Sequence, residues 1–364
     1  MKKVGIIGNG RIGSYMAKKL VEMGYEVLVA DVNVDPHSDG HIHYYHMDAC
    51  QFVSSDFNGC DVIITAVPGA IGAKVLANVI EYTHGYVPIV DISFMPEDPR
   101  DLEIWEKHDI TVVADCGVAP GLCGMIAGYE ATQFDEPLSC EIMVGGLPVL
   151  GGYKVPFSPA DVLEEYMRPA RYVVLGEIQT KPALDIVSPY TIDGKPGAAE
   201  AILTDGLRTL LDLPFPSIRE WTLRWAGHAE QMRILRDMQL FGSDHIDQTR
   251  QILERAWTPE GDEQEFTRLE VEAYGTIFDK IENHKYTLNV DGYYNSDKGP
   301  PSMAVSTGAP AIVVATMLMD GFIEKNKGLV LPEHIGADQK QWREFRKRLY
   351  GHFGIQLIRE VSRC

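Results

Sequence analysis

Basic charge is scarce in this chain. Its 33 Lys and Arg residues stand against 52 Asp and Glu, a net charge of −19 over 364 residues. Nucleic acids and anionic membranes both need a basic footprint, so neither is expected as a partner. The six cysteines (Cys50, Cys60, Cys116, Cys123, Cys140 and Cys364) form no Cys-x-x-Cys pair and no zinc-ligand spacing. Scattered reduced thiols suit a cytoplasmic protein, and no metal site is expected. The longest apolar run, residues 303–319, is short for a membrane span and contains Ser306, Thr307, Gly308 and Pro310, which predicts a buried helix instead. The first apolar segment starts at Val4 and Arg11 interrupts it, so no signal peptide is expected. There is no internal repeat, no low-complexity tract and no linker rich in Pro, Gly and Ser. The remaining composition, 45% hydrophobic and 23% charged, is that of a soluble globular protein long enough for two domains.

What is present begins at once. Val4-Gly5-Ile6-Ile7 reads as a buried strand and runs into Gly8-Asn9-Gly10-Arg11-Ile12-Gly13, a Gly-x-Gly-x-x-Gly turn. The three glycines have separate tasks: Gly8 makes the tight turn, Gly10 admits a pyrophosphate to the backbone, and Gly13 lets the next helix pack on the strand. An amphipathic run, residues 15–23, follows and stops at Gly24; a second strand, Glu26-Val27-Leu28-Val29-Ala30, ends at Asp31. A carboxylate there holds a ribose 2′-hydroxyl and repels a 2′-phosphate, so NAD is expected over NADP.

Strands and helices keep alternating, which predicts an α/β, Rossmann-type doubly wound parallel sheet. Residues 61–67, 87–92 and 110–115 read as strands; 71–82, Asp98–His108 and 122–131 read as helices. Ligands bind at the carboxyl ends of such strands. The candidate cofactor-binding residues are Gly8, Gly10, Arg11, Ile12, Gly13, Asp31, Asp48, Val67, Pro68, Asp91 and Val118. Beyond Val118 the strands lengthen and alternate, and turn signals multiply at Gly145-Gly146, Gly151-Gly152 and Asp193-Gly194. A second, α+β domain on an antiparallel sheet is expected, with strands over 138–145, 265–277 and 286–293. The expected division is 1–122, 123–301, and a helical segment 302–364 that packs back on the first domain.

Asp115-Cys116-Gly117-Val118-Ala119-Pro120-Gly121 resembles a signature of the saccharopine dehydrogenase-like and lysine 6-dehydrogenase family. Val90-Asp91-Ile92-Ser93-Phe94, Val144-Gly145-Gly146-Leu147-Pro148, Thr204-Asp205-Gly206-Leu207 and Arg224-Trp225-Ala226-Gly227-His228 resemble the same family in the same order, over nearly the whole chain. The resemblance implies a homodimeric NAD(P)-dependent enzyme that interconverts amine and imine at the ε-nitrogen of lysine or of a lysine adduct. Backbone N–H groups at the start of the helix after Gly121 are expected to favour an anionic group.

Every such substrate carries an amino-acid carboxylate, and a planar guanidinium is its preferred partner, so Arg224 is the candidate clamp. Gly145, Gly146 and Asp205 are further candidates for substrate binding. Asp115 and His228 are the candidates for the base that removes the amine proton. Arg224 and His228, four apart, share a face only if the segment is helical; a surface ion pair and a satisfied core histidine are the alternatives. The leading expectation is an NAD-dependent dehydrogenase of a side-chain amine, most simply lysine. A saccharopine or opine-type dehydrogenase on the same fold is the alternative, and a non-catalytic dinucleotide-binding sensor a remoter one.

Overall fold

Lys3–Ile7 forms β1, buried from Val4 onward, and α1 (Arg11–Glu22) returns over it. The buried face of α1 is Gly13, Met16, Ala17 and Leu20, the spacing of one helical stripe. In the computed structural model, which describes all residues except 52–54, 107–109, 196, 260, 295–296, 325–327 and 364, the chain forms two units. The first is Met1–Tyr129 with Ala304–Gln356; the second is Glu130–Met303 with Leu357–Cys364.

In the first unit β2 (Glu26–Asp31), β3 (His37–Asp39), β4 (Ile42–His46), β5 (Val62–Thr65), β6 (Ile89–Asp91) and β7 (Thr111–Val113) join β1. Together with a strand at Gly328–Val330 they make one sheet, ordered from that strand through β7, β6, β5, β1, β2 and β4 to β3. Only β3 runs antiparallel. The order reverses between β1 and β5, the switch point where doubly wound sheets bind ligands. α2 (Gly69–Tyr82) and α3 (Leu122–Ala131) occupy the expected segments. β3 and β4 were not legible, because His37–His46 is polar and half-exposed or exposed apart from Ile42.

The expected helix over Asp98–His108 is two 3₁₀ turns, Pro99–Asp101 and Glu103–Glu106; His108 lies outside the described residues. Asp98 and Pro99 start a helical turn, but Leu102 is extended (φ −81°, ψ 111°) and ends it. The helix Ser302–Met319 has the length and hydropathy of a membrane span, yet 83% of that window is buried inside the protein. Its Gly308 lies against Met16 and Tyr15 of α1, where a Cβ would come within 2.9 Å of the Met16 side chain.

The second unit is built on β8 (Glu136–Pro148), α4 (Pro159–Glu164), β9 (Ala170–Val174), β10 (Glu177–Lys181), β11 (Val187–Tyr190), β12 (Ala199–Leu203), β13 (Ser217–Trp225), α5 (His228–Asp237), α6 (Ile246–Trp257), β14 (Gln264–Ile277) and β15 (Lys280–Tyr293). Its sheet is ordered β10-β9-β13-β8-β14-β15 and then the strand Ile358–Arg363, with β12 also on β13. All pairs are antiparallel except β13 with β8. The C-terminal strand therefore pairs in the second unit, not with the first domain as expected. Gly145 and Gly146 are not a turn either. They lie inside β8, where a Cβ at Gly145 would sit 2.7 Å from the Leu223 carbonyl oxygen and one at Gly146 2.8 Å from the Met303 side chain, so the first serves close strand packing and the second the packing of Met303 on the strand.

Two further glycines fix α3. A Cβ on Gly128 would lie 2.2 Å from the Glu333 carbonyl oxygen, and one on Gly336 only 1.8 Å from that of Met125. The short helix Pro332–Ala337 thus touches α3 backbone to backbone. Gly336→Ala should cost at least the ~1–3 kcal/mol typical of overpacking, read as a lower denaturant midpoint; an unchanged midpoint would mean that the two helices part without loss.

Candidate functional site

The Gly8–Gly13 turn is held by backbone. Gly8 takes φ +107°, a conformation that favours glycine, and a Cβ there would lie 2.4 Å from the Ala66 carbonyl oxygen. This closeness brings the β1 turn against the Val67-Pro68 segment after β5. A Cβ on Gly13 would lie 2.0 Å from the Gly8 carbonyl oxygen. Gly10 is different: a Cβ there meets nothing within 4 Å, and the residue is exposed. That open space lies over the start of α1, which has no side-chain cap and whose first backbone bond is from Ser14 N–H to Gly10 C=O. First-turn N–H groups lack intrahelical partners and attract anions. Asn9 Oδ1 is a buried acceptor with no hydrogen-bond partner among the described residues.

Asp31 closes the turn from β2. One carboxylate oxygen accepts from Asn9 N–H at 2.7 Å, the other from Asn33 N–H at 2.7 Å. Each oxygen keeps a lone pair for a ribose hydroxyl. Arg11 and Ile12 are half-buried at the head of α1, and exposed Asp48 receives the Cys50 N–H at 2.9 Å just past β4. The turn therefore fits a dinucleotide: open space at Gly10, an uncapped helix start and a carboxylate at the end of β2.

The carboxyl ends of β6 and β7 are more closed than expected. Asp91 is fully buried and accepts from Thr65 Oγ1 at 2.5 Å and from Ser93 N–H at 3.2 Å, so it braces two strand ends from beneath. Burial, and secondarily the Asp115 charge, push its carboxyl up to about 7. Asp115 is buried and takes φ +54°, unusual for a side chain other than glycine. The following loop folds on itself around a cis Ala119–Pro120 bond, with Gly117 N–H on Pro120 C=O at 3.0 Å. Leu122 N–H goes to Gly117 C=O at 2.9 Å and Cys123 N–H to Val118 C=O at 3.1 Å. The expected anion cradle at the start of α3 is thus filled by the loop's own carbonyls, and Val118 itself is buried.

In the second unit the structure gathers Arg224 and His228 without a helix joining them. Arg224 ends β13, and His228 begins α5 after Gly227 turns the chain at φ +96°. The link is Tyr166, which nothing in the sequence singled out. Arg224 Nε donates to the Tyr166 hydroxyl oxygen at 2.9 Å, and the hydroxyl proton then goes to His228 Nε2 at 2.9 Å. This network assigns the imidazole proton to Nδ1. Arg224 Nη2 donates to Glu165 at 2.6 Å and Nη1 to Leu223 C=O at 2.9 Å, and the Tyr153 ring lies 4.8 Å from the guanidinium carbon. Burial raises the Glu165 carboxyl and the adjacent guanidinium opposes that rise. Burial, and then the Arg224 charge, hold His228 down to about 3, so it is neutral across the physiological range. Glu200 occupies the head of α5, accepting from Ala229 N–H at 2.5 Å.

Asp205 is engaged in a two-pronged pair with Arg171, at 2.8 and 3.0 Å, and is a structural brace rather than an open substrate contact. Among the described residues no group of three or more His, Cys, Asp or Glu could hold a metal ion.

A family model described as Saccharopine dehydrogenase C-terminal domain matches residues 117–355, well over half of the chain. One described as NADP oxidoreductase coenzyme F420-dependent matches residues 3–94. Among solved structures, apo saccharopine dehydrogenase (L-Glu forming) from Saccharomyces cerevisiae is similar at 19% identity, with 100% of both chains covered and a TM-score of 0.74. The dehydrogenase MviM from Clostridium difficile (11% identity, 96% and 99% covered) and GenD2 from gentamicin A biosynthesis (8%, 100% and 96%) both align at a TM-score of 0.40. With its dinucleotide turn in the first unit and this match across the second, the chain belongs to the saccharopine dehydrogenase family of NAD(P)-dependent oxidoreductases.

Proposed function

We propose that this protein is an NAD-dependent dehydrogenase of a side-chain amine, acting on the ε-amine of lysine. The observation that carries this reading is the Arg224–Glu165 pair. A guanidinium and a carboxylate 2.6 Å apart match the carboxylate and ammonium of one amino-acid head group. Three Arg224 N–H groups are engaged, which leaves one on each Nη for a substrate carboxylate. Arg268, also buried, is spent on Glu270 and Asn289, which favours a substrate with a single carboxylate to bind.

When bound, the nicotinamide accepts a hydride from the carbon that bears the amine. The protein's residues must first remove a proton, because a lysine ammonium has a pKa near 10.4 and a protonated nitrogen cannot form an imine. Asp115, at the carboxyl end of β7, is the better candidate for that base. His228 binds protons too weakly, and its part is to hold Tyr166 and, through it, Arg224. The imine then takes up water and releases ammonium. A reducing cytoplasm suits Cys50, Cys60, Cys116, Cys123 and Cys140, which form no disulfide among the described residues. A second reading, a saccharopine or related opine-type dehydrogenase, draws on the full-length likeness to the yeast enzyme. It requires glutamate or 2-oxoglutarate in the reaction; the lysine reading does not.

NADH formation measured with lysine, ornithine, diaminopimelate and saccharopine decides between them: lysine alone should support it without a second acid. Arg224→Lys keeps the charge but loses the fork, and should raise KM for lysine at least about tenfold. An unchanged KM in both Arg224→Lys and Arg224→Ala would remove Arg224 from the substrate. Asp31→Ser should narrow the preference for NAD over NADP by about an order of magnitude, compared as kcat/KM; a wild type that already prefers NADP would refute the role of Asp31.

The state of His228 has its own signature. Its folded pKa lies below the ordinary 6.5, so on acidification the unfolded chain takes the proton first. Its contribution to stability is intact above pH 6.5 and is lost between there and about 3, at no more than ~1.4 kcal/mol per pH unit. His228→Gln should therefore flatten the fall of unfolding free energy below pH 6.5; an equal slope in wild type and variant would show an imidazole that titrates freely.

A further inference from the structure

The cluster around Arg224 contains a phenol whose hydroxyl the packing does not explain. The Tyr153 ring is held on three sides. The Arg224 guanidinium carbon lies 4.8 Å from its centroid, the His228 ring 4.6 Å away, and the Trp257 ring 4.9 Å away and edge-on. Those contacts account for an aromatic side chain at this position. They do not account for the hydroxyl, because Tyr153 Oη is buried and has no hydrogen-bond partner among the described residues. Phenylalanine would make the same ring contacts without burying an unpaired polar atom, which is a net cost to the fold.

The surroundings make this hydroxyl a donor in search of an acceptor. Burial pushes the phenol well above its ordinary pKa, so it keeps its proton. The Tyr166 hydroxyl near it is already engaged twice, accepting from Arg224 Nε and giving its proton to His228 Nε2. Arg224 Nη1 and Nη2 each have a second hydrogen beyond those given to Leu223 C=O and Glu165. Three donors therefore converge in one buried cluster, two of them on a cation. A carboxylate meets that demand: it carries the opposite charge, its two oxygens suit the guanidinium fork, and about four lone-pair sites leave room for a third donor. A neutral carbonyl offers one oxygen, and an amine or ammonium would add hydrogens where acceptors are wanted.

We propose that Tyr153 is a substrate-binding residue whose hydroxyl donates a further hydrogen bond to the carboxylate that Arg224 holds. This rests on the reading of Arg224 and Glu165 as the head-group site, and it narrows the substrate class: an amino acid fills the cluster, whereas a diamine leaves three buried donors unpaired and is rejected. Calorimetric titration of lysine into the enzyme loaded with NADH, where no turnover occurs, tests it. Tyr153→Phe keeps the ring contacts and should weaken lysine by about tenfold or more, the effect of losing a hydrogen bond to a charge. Its denaturant midpoint without lysine should stay level or rise, because the empty protein loses no bond. Titration with 1,5-diaminopentane, which lacks the carboxylate, should not distinguish the variant from the wild type. Equal lysine affinity in the two proteins, a lowered midpoint in the variant, or an equal loss of 1,5-diaminopentane binding would overturn the assignment. If lysine does not bind the wild type, the lysine reading fails by itself; saccharopine, which presents the same head group, then enters the same comparison and decides the role of Tyr153. Failure of both to bind would remove the head-group site and Tyr153 with it.

Discussion

The approach of Gly13 to the Gly8 carbonyl, where a single added carbon would sit 2.0 Å from oxygen, sets the geometry of the first unit. It fixes the height of α1 over β1, and with it the point at which the uncapped helix start faces outward. The same crowding at Gly8 locks the β1 turn to the backbone at Ala66, across the switch point of the sheet. Between these contacts Gly10 is left open. Two glycines make room for protein and the third leaves open space, with the Asp31 carboxylate held by the Asn9 N–H between them.

This part of the molecule was legible because its physics is local. A strand, a glycine turn, a helix and a carboxylate at the end of the next strand lie within about 30 residues, the length of one βαβ unit. The second unit was legible only as a type. Arg224 and His228 were visible as chemistry, but Glu200 is brought to them by the pairing of β12 with β13, and Glu165 and Tyr166 by the end of α4, from 24 to 63 positions away, and no spacing rule reports that. Gly145 and Gly146 carried a turn signal, yet a glycine in a strand also marks close backbone packing, and the periodicity of β8 runs on through them to Pro148. The first half of β15, Lys280-Ile281-Glu282-Asn283-His284-Lys285, went unread because its inward face is itself polar: Glu282 and His284 are buried among charged partners.

Buried charge has several uses in this fold. Asp91 and Glu220 are pushed up to about 7 and about 8 by burial, and both are tied by a threonine hydroxyl at 2.5 Å to a neighbouring strand. Such groups orient strand ends, at a desolvation cost that their hydrogen bonds partly offset. Arg224 has a different environment: a carboxylate, a phenol and an aromatic face surround it, and burial, with the Arg224 charge second, keeps the nearby imidazole neutral. The histidine expected as a proton carrier is thus held neutral against the Tyr166 hydroxyl, which is what the proposed positioning role rests on.

Isotope tracing tests the oxidation of a side-chain amine most directly. Lysine labelled with ¹⁵N only at the ε-position, incubated with the enzyme and NAD, should release one ¹⁵N-ammonium for each NADH formed and retain unlabelled nitrogen at the α-carbon. Unlabelled ammonium released in step with NADH, or ¹⁵N recovered in glutamate, would contradict it.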